Sequence, residues 1–138
     1  MRKETIKYID FDGNEREETF YFNLTRAECF KMNAETPGGL ATVLERIVKA
    51  NDSPTIYATF VDLLSRAYGV KSDDGKRLVK SEALFKAFTE TNAYDELICK
   101  FFAAPGFAAD FFNEVIPSEQ IKEFSNTVKI NFEPKAVK

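Results

Sequence analysis

The sequence predicts an α+β protein that is mainly helical, with an N-terminal β-hairpin packed on a bundle of about five to six short helices. Two β-like runs, 5–11 and 16–24, flank the turn composition Asp12-Gly13-Asn14. Most later apolar residues recur every three or four positions, which is the period of an amphipathic helix. A chain of 138 residues is long enough for one domain and one core. We therefore expect a single domain over 1–138, divided into a hairpin (1–24), a helical body (25–124) and a candidate C-terminal strand (127–132).

The second strand of the hairpin carries one apolar face. Phe20, Phe22 and Leu24 alternate with more polar neighbours, so their side chains point to the same side of the strand. A two-stranded hairpin alone is marginally stable in water. This face is therefore expected to be covered by helices or extended by a third strand.

The next three segments are predicted to be helices. Thr25 and Glu28 form a capping box, which indicates a helix from there to about residue 35. A single apolar stripe predicts a second helix over 39–50. Ser53 as N-cap and Pro54 at the first helical position begin the third helix. Its apolar stripe is wide, so we expect this third helix to be central to the core.

The segment 68–81 joins two helical regions. Gly69 is expected to end the third helix in a left-handed conformation, and Asp73-Asp74-Gly75 reads as a tight turn. Leu78-Val79 is a brief extended contact, and Ser81 is placed to cap the following helix. We predict that this loop is a structural joint and not a ligand site, with key residues Tyr68, Gly69, Gly75, Arg77 and Ser81.

The remaining chain is expected to contain a short helix over 81–88, a helix capped by Thr91, a further apolar helical face over 107–116 and a last helical turn over 118–124. The run 127–132 then alternates strictly, with apolar residues at every second position, as in a strand. We expect it to join the sheet of the hairpin, either within the chain or on a neighbouring copy, because an isolated strand leaves its amides unpaired.

Phenylalanine is unusually frequent, with 14 residues in the chain, and the segment 101–112 is the richest. A ring on a helical apolar stripe is most often part of the core. However, the predicted helices carry more apolar faces than one small core can cover, which indicates that some of this surface meets another chain. The candidates for partner binding or self-association are Phe101, Phe102, Phe107, Phe111 and Phe112.

The sequence lacks the residues that most catalytic and metal sites require. It contains no His, which removes the usual general base and the commonest transition-metal ligand. Cys29 and Cys99 are expected to be free, buried thiols. Asp10 and Asp12 resemble the start of a calcium loop, but its twelfth position is Tyr21 and not glutamate. We therefore expect no enzymatic activity, no metal and no cofactor.

Charge and hydropathy limit the partners. The net charge is −3 and the basic residues are dispersed, so we expect no binding to nucleic acid or to an anionic membrane. No apolar run is long enough to span a bilayer, and the N-terminus does not resemble a signal peptide, which favours a cytoplasmic protein. Four cations near the 68–81 loop, namely Lys71, Lys76, Arg77 and Lys80, form either an anion site or, as we favour, a solvated basic rim.

A series of short motifs is centred on the 68–81 loop. They are 20–25, Gly38-Gly39-Leu40, Tyr68-Gly69, Lys71-Ser72, Gly75, Arg77, Lys80-Ser81-Glu82, Phe88, Thr91, Ala93-Tyr94 and 112–117. In their order and spacing, these motifs resemble the signature of small tail assembly chaperones of long-tailed, siphovirus-type bacteriophages or prophages, chiefly those of Gram-positive hosts. The resemblance covers most of residues 4–117.

The resemblance implies a protein that coats the hydrophobic tape measure protein, keeps it soluble and recruits tail tube subunits. It further implies action in the host cytoplasm, absence from the mature virion and weak, concentration-dependent self-association. Two other functions stay open on the residues alone. A structural virion protein, such as a tube or completion subunit, would be rich in strands, and a small cytoplasmic regulatory binding protein has no distinguishing motif.

Overall fold

The computed structural model describes residues 1–35, 38, 42 and 53–117, and these residues form the predicted α+β fold. The predicted helix over 39–50, the helical turn over 118–124 and the strand over 127–132 lie outside the described residues. The elements in chain order are β1 (Arg2–Ile9), β2 (Glu15–Phe22), α1 (Arg26–Glu35), α2 (Ser53–Ala67), β3 (Tyr68–Lys71), β4 (Leu78–Val79), α3 (Glu82–Thr89), α4 (Asn92–Ala103) and α5 (Pro105–Val115).

The four strands form one antiparallel sheet in the order β1-β2-β3-β4. β1 and β2 pair along their whole length, which confirms the predicted hairpin. At its turn, Gly13 has a φ of 83°. The Asp10 carboxylate accepts hydrogen bonds from the amides of Asp12 and Asn14, each at 2.9 Å. This carboxylate is therefore part of the turn, as its sequence predicts.

The predicted helix starts are largely confirmed. In the capping box, the Thr25 amide donates to Glu28 Oε1 at 2.9 Å, and the Glu28 amide donates to Thr25 Oγ1 at 3.1 Å. Ser81 and Thr91 accept from the first turns of α3 and α4. α2 begins at Ser53 itself and not one residue later, a shift within the usual uncertainty of helix ends.

The predicted role of Gly69 is wrong. α2 ends at Ala67 and the chain passes directly into β3, where Gly69 pairs with Tyr21. The positive-φ glycines of the described residues do not include Gly69. Instead, a Cβ atom at this position would lie 2.5 Å from Leu78 Cγ. Glycine is required here because a side chain of the neighbouring strand lies against the backbone.

The core lies between the inner face of the sheet and the helices. Phe22 is fully buried, and its ring contacts Tyr68, Phe88 and Phe111 at centroid distances of 5.6, 5.9 and 5.0 Å. α2 contributes four buried apolar residues, as its wide apolar stripe predicts. The fully buried large side chains are Phe22, Leu24, Cys29, Leu63, Leu64, Leu97, Phe101, Phe111, Phe112 and Val115.

Candidate interaction surface

The phenylalanine-rich segment is divided between core and surface. Phe101, Phe111 and Phe112 are 2%, 0% and 1% exposed. Phe102 is 41% exposed and Phe107 is half-buried. Three of the five candidate rings are therefore core residues in this fold. Self-association stays a prediction, and the surface available for it in this segment comes from Phe102 and part of Phe107.

Charged groups surround the Phe107 ring. The Arg2 guanidinium lies 5.2 Å and the Lys100 ammonium 4.3 Å from its centroid. Arg2 also forms ion pairs with Glu4, at 2.8 Å, and with Glu114. Cations over an aromatic face are attractive contacts within the protein. The Phe107 ring is therefore in contact with charged groups. Among the five candidate rings, this leaves Phe102 as the one accessible for apolar contact with another chain.

Phe102 belongs to a larger exposed surface. Its ring stacks on Tyr57 of α2, with centroids 6.5 Å apart, and Tyr57 is 43% exposed. The Tyr57 and Tyr94 hydroxyls lie 3.3 Å apart. Ile98 is half-buried one helical turn before Phe102. We name Tyr57, Tyr94, Ile98 and Phe102 the aromatic face; it is made by α2 and α4.

The aromatic face contains an uncharged tyrosine hydroxyl at neutral pH. Burial, together with the hydrogen bond to Tyr57, raises the pKa of Tyr94 above its usual value. The face thus combines flat apolar rings with hydroxyl groups that can donate or accept hydrogen bonds. Such amphipathic aromatic surfaces are typical of protein interfaces.

Two other aromatic side chains are exposed on separate elements. Phe11, in the turn of the β1-β2 hairpin, is 79% exposed, and Phe30 on α1 is 61% exposed. The helix and strand patterns of the sequence do not distinguish either of these rings, or Tyr57, as exposed. Phe11 carried a usable signal, because it directly precedes turn residues that are ordinarily solvated.

The 68–81 loop is a small hairpin between β3 and β4 with a conventional turn. Gly75 has a φ of 76° and its amide donates to Ser72 O at 2.9 Å. The Asp74 carboxylate accepts from the Lys76 amide at 3.0 Å and from the Ser72 hydroxyl at 2.7 Å, and these bonds lower the pKa of Asp74. The Arg77 amide donates to Ser72 Oγ at 3.0 Å. These contacts support the predicted structural role of the loop, which remains a prediction.

Lys80 is not part of a solvated basic rim, so that interpretation is wrong for this residue. Its side chain is 20% exposed, and its ammonium donates to Asn23 O at 2.5 Å, to Arg66 O at 3.0 Å and to Glu28 Oε2 at 2.7 Å. These acceptors lie after β2, near the end of α2 and in the first turn of α1. Lys80 therefore connects the β2–α1 junction and the end of α2, which lie 52 to 57 and 14 residues from it in sequence.

The carboxylate of Glu28 is the anionic member of this group. Burial alone would raise the pKa of Glu28, but the hydrogen bonds from Lys80 and Thr25 outweigh that effect and hold it below its usual value. The Lys80–Glu28 ion pair is therefore formed at neutral pH. The three N–H donors of the Lys80 ammonium have three acceptors within the protein, so none is left for a bound anion. Lys80 therefore stabilises the fold.

Among the described residues, no group of three or more His, Cys, Asp or Glu side chains could hold a metal ion. Cys29 is buried and free, and burial raises the pKa of its thiol. Cys99 is also free but exposed, so its predicted burial is wrong. No helix of the described chain is long and apolar enough to cross a membrane.

A family model described as phage tail assembly chaperone matches residues 1–136, which is almost the whole chain. The chain belongs to the phage tail assembly chaperone family. No curated protein and no solved structure gives a significant match. This chaperone family is an assembly family and not an enzyme family, which confirms the prediction that the chain is not an enzyme. The predicted phage origin and role in tail assembly are confirmed at the level of the family.

Proposed function

We propose that this chaperone binds and coats the tape measure protein and helps to recruit tail tube subunits during tail assembly. Family membership over residues 1–136 is the observation that carries the proposal. The protein acts in the host cytoplasm during tail assembly of a siphovirus-type phage or prophage of a Gram-positive host. It is absent from the mature virion. No cofactor takes part.

The aromatic face is the proposed contact with the tape measure protein. Tyr57 and Phe102 are each more than two-fifths exposed, at 43% and 41%, although their rings are in contact. An extended amphipathic helix presents apolar side chains every three or four residues, and a flat aromatic surface between two helices suits such a stripe. The binding is weak for one copy and strong for many copies arranged along one long helix.

The test is co-expression with the tape measure protein. Replacing both Tyr57 and Phe102 by Ser is expected to reduce soluble, co-purifying tape measure protein at least tenfold, while circular dichroism shows an unchanged fold. Phe30→Ser is the matched control, since Phe30 is 61% exposed but lies on α1. Undiminished co-purification of the double variant would remove the aromatic face from the proposal. Wild-type protein that leaves the tape measure protein insoluble would refute the function itself.

Self-association through Phe102 is part of the same proposal. Copies packed side by side on one helix gain avidity from contacts with each other. Sedimentation velocity over a hundredfold concentration range is expected to show weak association of the wild type and a shift toward monomer for Phe102→Ser. Unchanged association of a folded Phe102→Ser protein would exclude this ring from the contact between copies.

A further inference from the structure

The outer edge of β1 is not paired with another strand among the described residues. The Asp10 amide donates to Asn14 O at 2.9 Å across the hairpin, so the even-numbered residues of β1 direct their amides toward β2. The odd-numbered residues Lys3, Thr5 and Lys7 direct theirs toward the open edge. Ile9 O also points outward, because it accepts from Asn92 Nδ2 at 2.9 Å. A row of unpaired amides at a sheet edge is a site for strand addition.

A groove of about 320 Å³ lies beside this edge, between β1 and α4. Ile6 and Leu97 are 6% and 1% exposed and form part of its apolar wall. Ala103 and Cys99 also line it, and Cys99 is exposed. A strand paired with β1 would direct every second side chain into this groove and the intervening ones toward solvent.

We propose that residues 127–132 of the same chain pair with the open edge of β1 and place Val128, Ile130 and Phe132 in the groove. This segment has the strict alternation that a one-sided groove requires, since Thr127, Lys129 and Asn131 would then face solvent. The family match extends through residue 136 and so includes the segment.

The described chain ends close to the start of β1, within reach of this edge. Val115 O accepts from the Leu24 amide at 3.0 Å, and Glu114 pairs with Arg2, the first residue of β1. From Pro117 to Thr127 there are ten peptide steps, which span up to about 33–36 Å when extended. The eight residues of β1 cover only about 27 Å. The segment can therefore reach any register on this edge.

Charge selects the register. Lys3 and Lys7 flank Thr5 on the solvent side of the edge, so Lys129 lies best beside Thr5, where no two ammonium groups are directly opposite each other. A second copy of β1 fits less well as the occupant. Its inner side chains, such as Ile6 and Glu4, are already buried against its own helices and cannot fill the groove of a neighbour.

Amide hydrogen exchange in the full-length protein tests the pairing. The Thr5 and Lys7 amides are expected to be protected. Replacing both Lys129 and Ile130 by Pro should speed their exchange at least tenfold, because one of these two consecutive amides faces β1 whichever way the strand runs, and proline cannot donate to the ladder. The Ile6 amide, directed toward β2, should be unaffected, and Ala136→Pro is the matched control outside the strand. Exchange of Thr5 and Lys7 in the wild type as fast as in an exposed turn would overturn the proposal.

Disulfide formation tests which side chains of residues 127–132 face the groove, and whether the paired strand comes from the same chain. Ile130→Cys is expected to form an intramolecular disulfide with Cys99, giving an oxidised monomer that is 2 Da lighter. Lys129→Cys, one residue away on the solvent side, should not. Equal cross-linking of the two variants would refute the placement of Ile130 in the groove. A disulfide-linked dimer would refute pairing within one chain and assign the edge to a neighbouring copy.

Discussion

Replacing Lys80 by Met tests whether the buried ammonium holds the fold together. Methionine keeps most of the length and apolar volume of the side chain but removes its three donors. Asn23 O, Arg66 O and Glu28 Oε2 would each lose a partner that now lies within 3.0 Å. We expect the variant to remain folded but to be clearly less stable.

The expected loss follows from the contacts. A hydrogen bond to a charged group contributes about 1.5–3 kcal/mol, so three such bonds set an upper limit of about 4.5–9 kcal/mol. The Lys80 side chain is 20% exposed, so water can replace part of these bonds. We therefore expect the free energy of unfolding to fall by about 2–4 kcal/mol, measured by urea denaturation followed by circular dichroism.

Lys86→Met is the matched control for the loss of a lysine. Lys86 pairs with Glu90 at 3.1 Å, but its side chain is 76% exposed, so its replacement should change the free energy of unfolding by less than about 0.5 kcal/mol. A loss for Lys80→Met no larger than for Lys86→Met would refute the connecting role of Lys80.

The pH dependence gives a second readout for Lys80→Met. The pKa of Glu28 is lowered in the folded protein, so its stabilising contribution is present above the unfolded value of about 4.3 and is lost as the pH falls through the folded pKa. The cost of removing Lys80 should therefore be larger at pH 7 than near pH 3. A cost that is independent of pH would show that the ion pair with Glu28 contributes little.

Further substitutions test the packing and the capping of α3. Gly69→Ala should lower the free energy of unfolding by about 1–3 kcal/mol, because the new Cβ would lie 2.5 Å from Leu78 Cγ, and Leu78→Ala in the same chain should recover part of the loss in urea melts. Phe111→Ala should cost about 3–5 kcal/mol and Phe102→Ala less than about 1 kcal/mol, since the rings are 0% and 41% exposed; similar costs in thermal melts would contradict this division. Ser81→Ala should cost about 1 kcal/mol by removing the N-cap of α3, and an unchanged urea midpoint would exclude that role.

The sequence predicted the elements that depend on local chemistry. The capping box at Thr25, the caps at Ser81 and Thr91 and the turn at Gly13 each need only residues within four positions of one another, and all are present. Such signals can be recognised in the sequence without knowledge of the rest of the fold, because the partner groups are neighbours in the chain.

β3 could not be predicted in the same way. Residues 68–71 follow a helix directly. A glycine at position 69 is expected either at the end of a helix or where another side chain contacts the backbone, and the neighbouring residues do not distinguish these two roles. The choice depends on Leu78, nine residues later, and on β2, which supplies the pairing partners. The three acceptors of Lys80 are likewise 14 to 57 residues away, so a lysine in a basic stretch gave no sign of its burial.

Adjacent phenylalanines show a second limit. Phe101 and Phe102 are the same residue type and lie on the same apolar stripe, yet Phe101 is 2% exposed and Phe102 is 41% exposed. In a helix, consecutive residues point about 100° apart, and a stripe as wide as that of α4 includes both. Which of them is covered depends on where α5 and α2 pack, and this information is tertiary.

The exposed ring of Phe102 can be changed without removing a fully buried side chain, which makes the proposed function testable by mutation. Arg2 at the start of β1 pairs with Glu114 near the end of α5, and the Leu24 amide donates to Val115 O at 3.0 Å. These contacts connect the N-terminal hairpin region to the last described helix, and they do not involve the aromatic face. Phe102 lies outside these contacts and outside the group of fully buried side chains. A variant altered only at Phe102 should therefore keep its fold, and any loss of binding that it shows can be attributed to the surface itself.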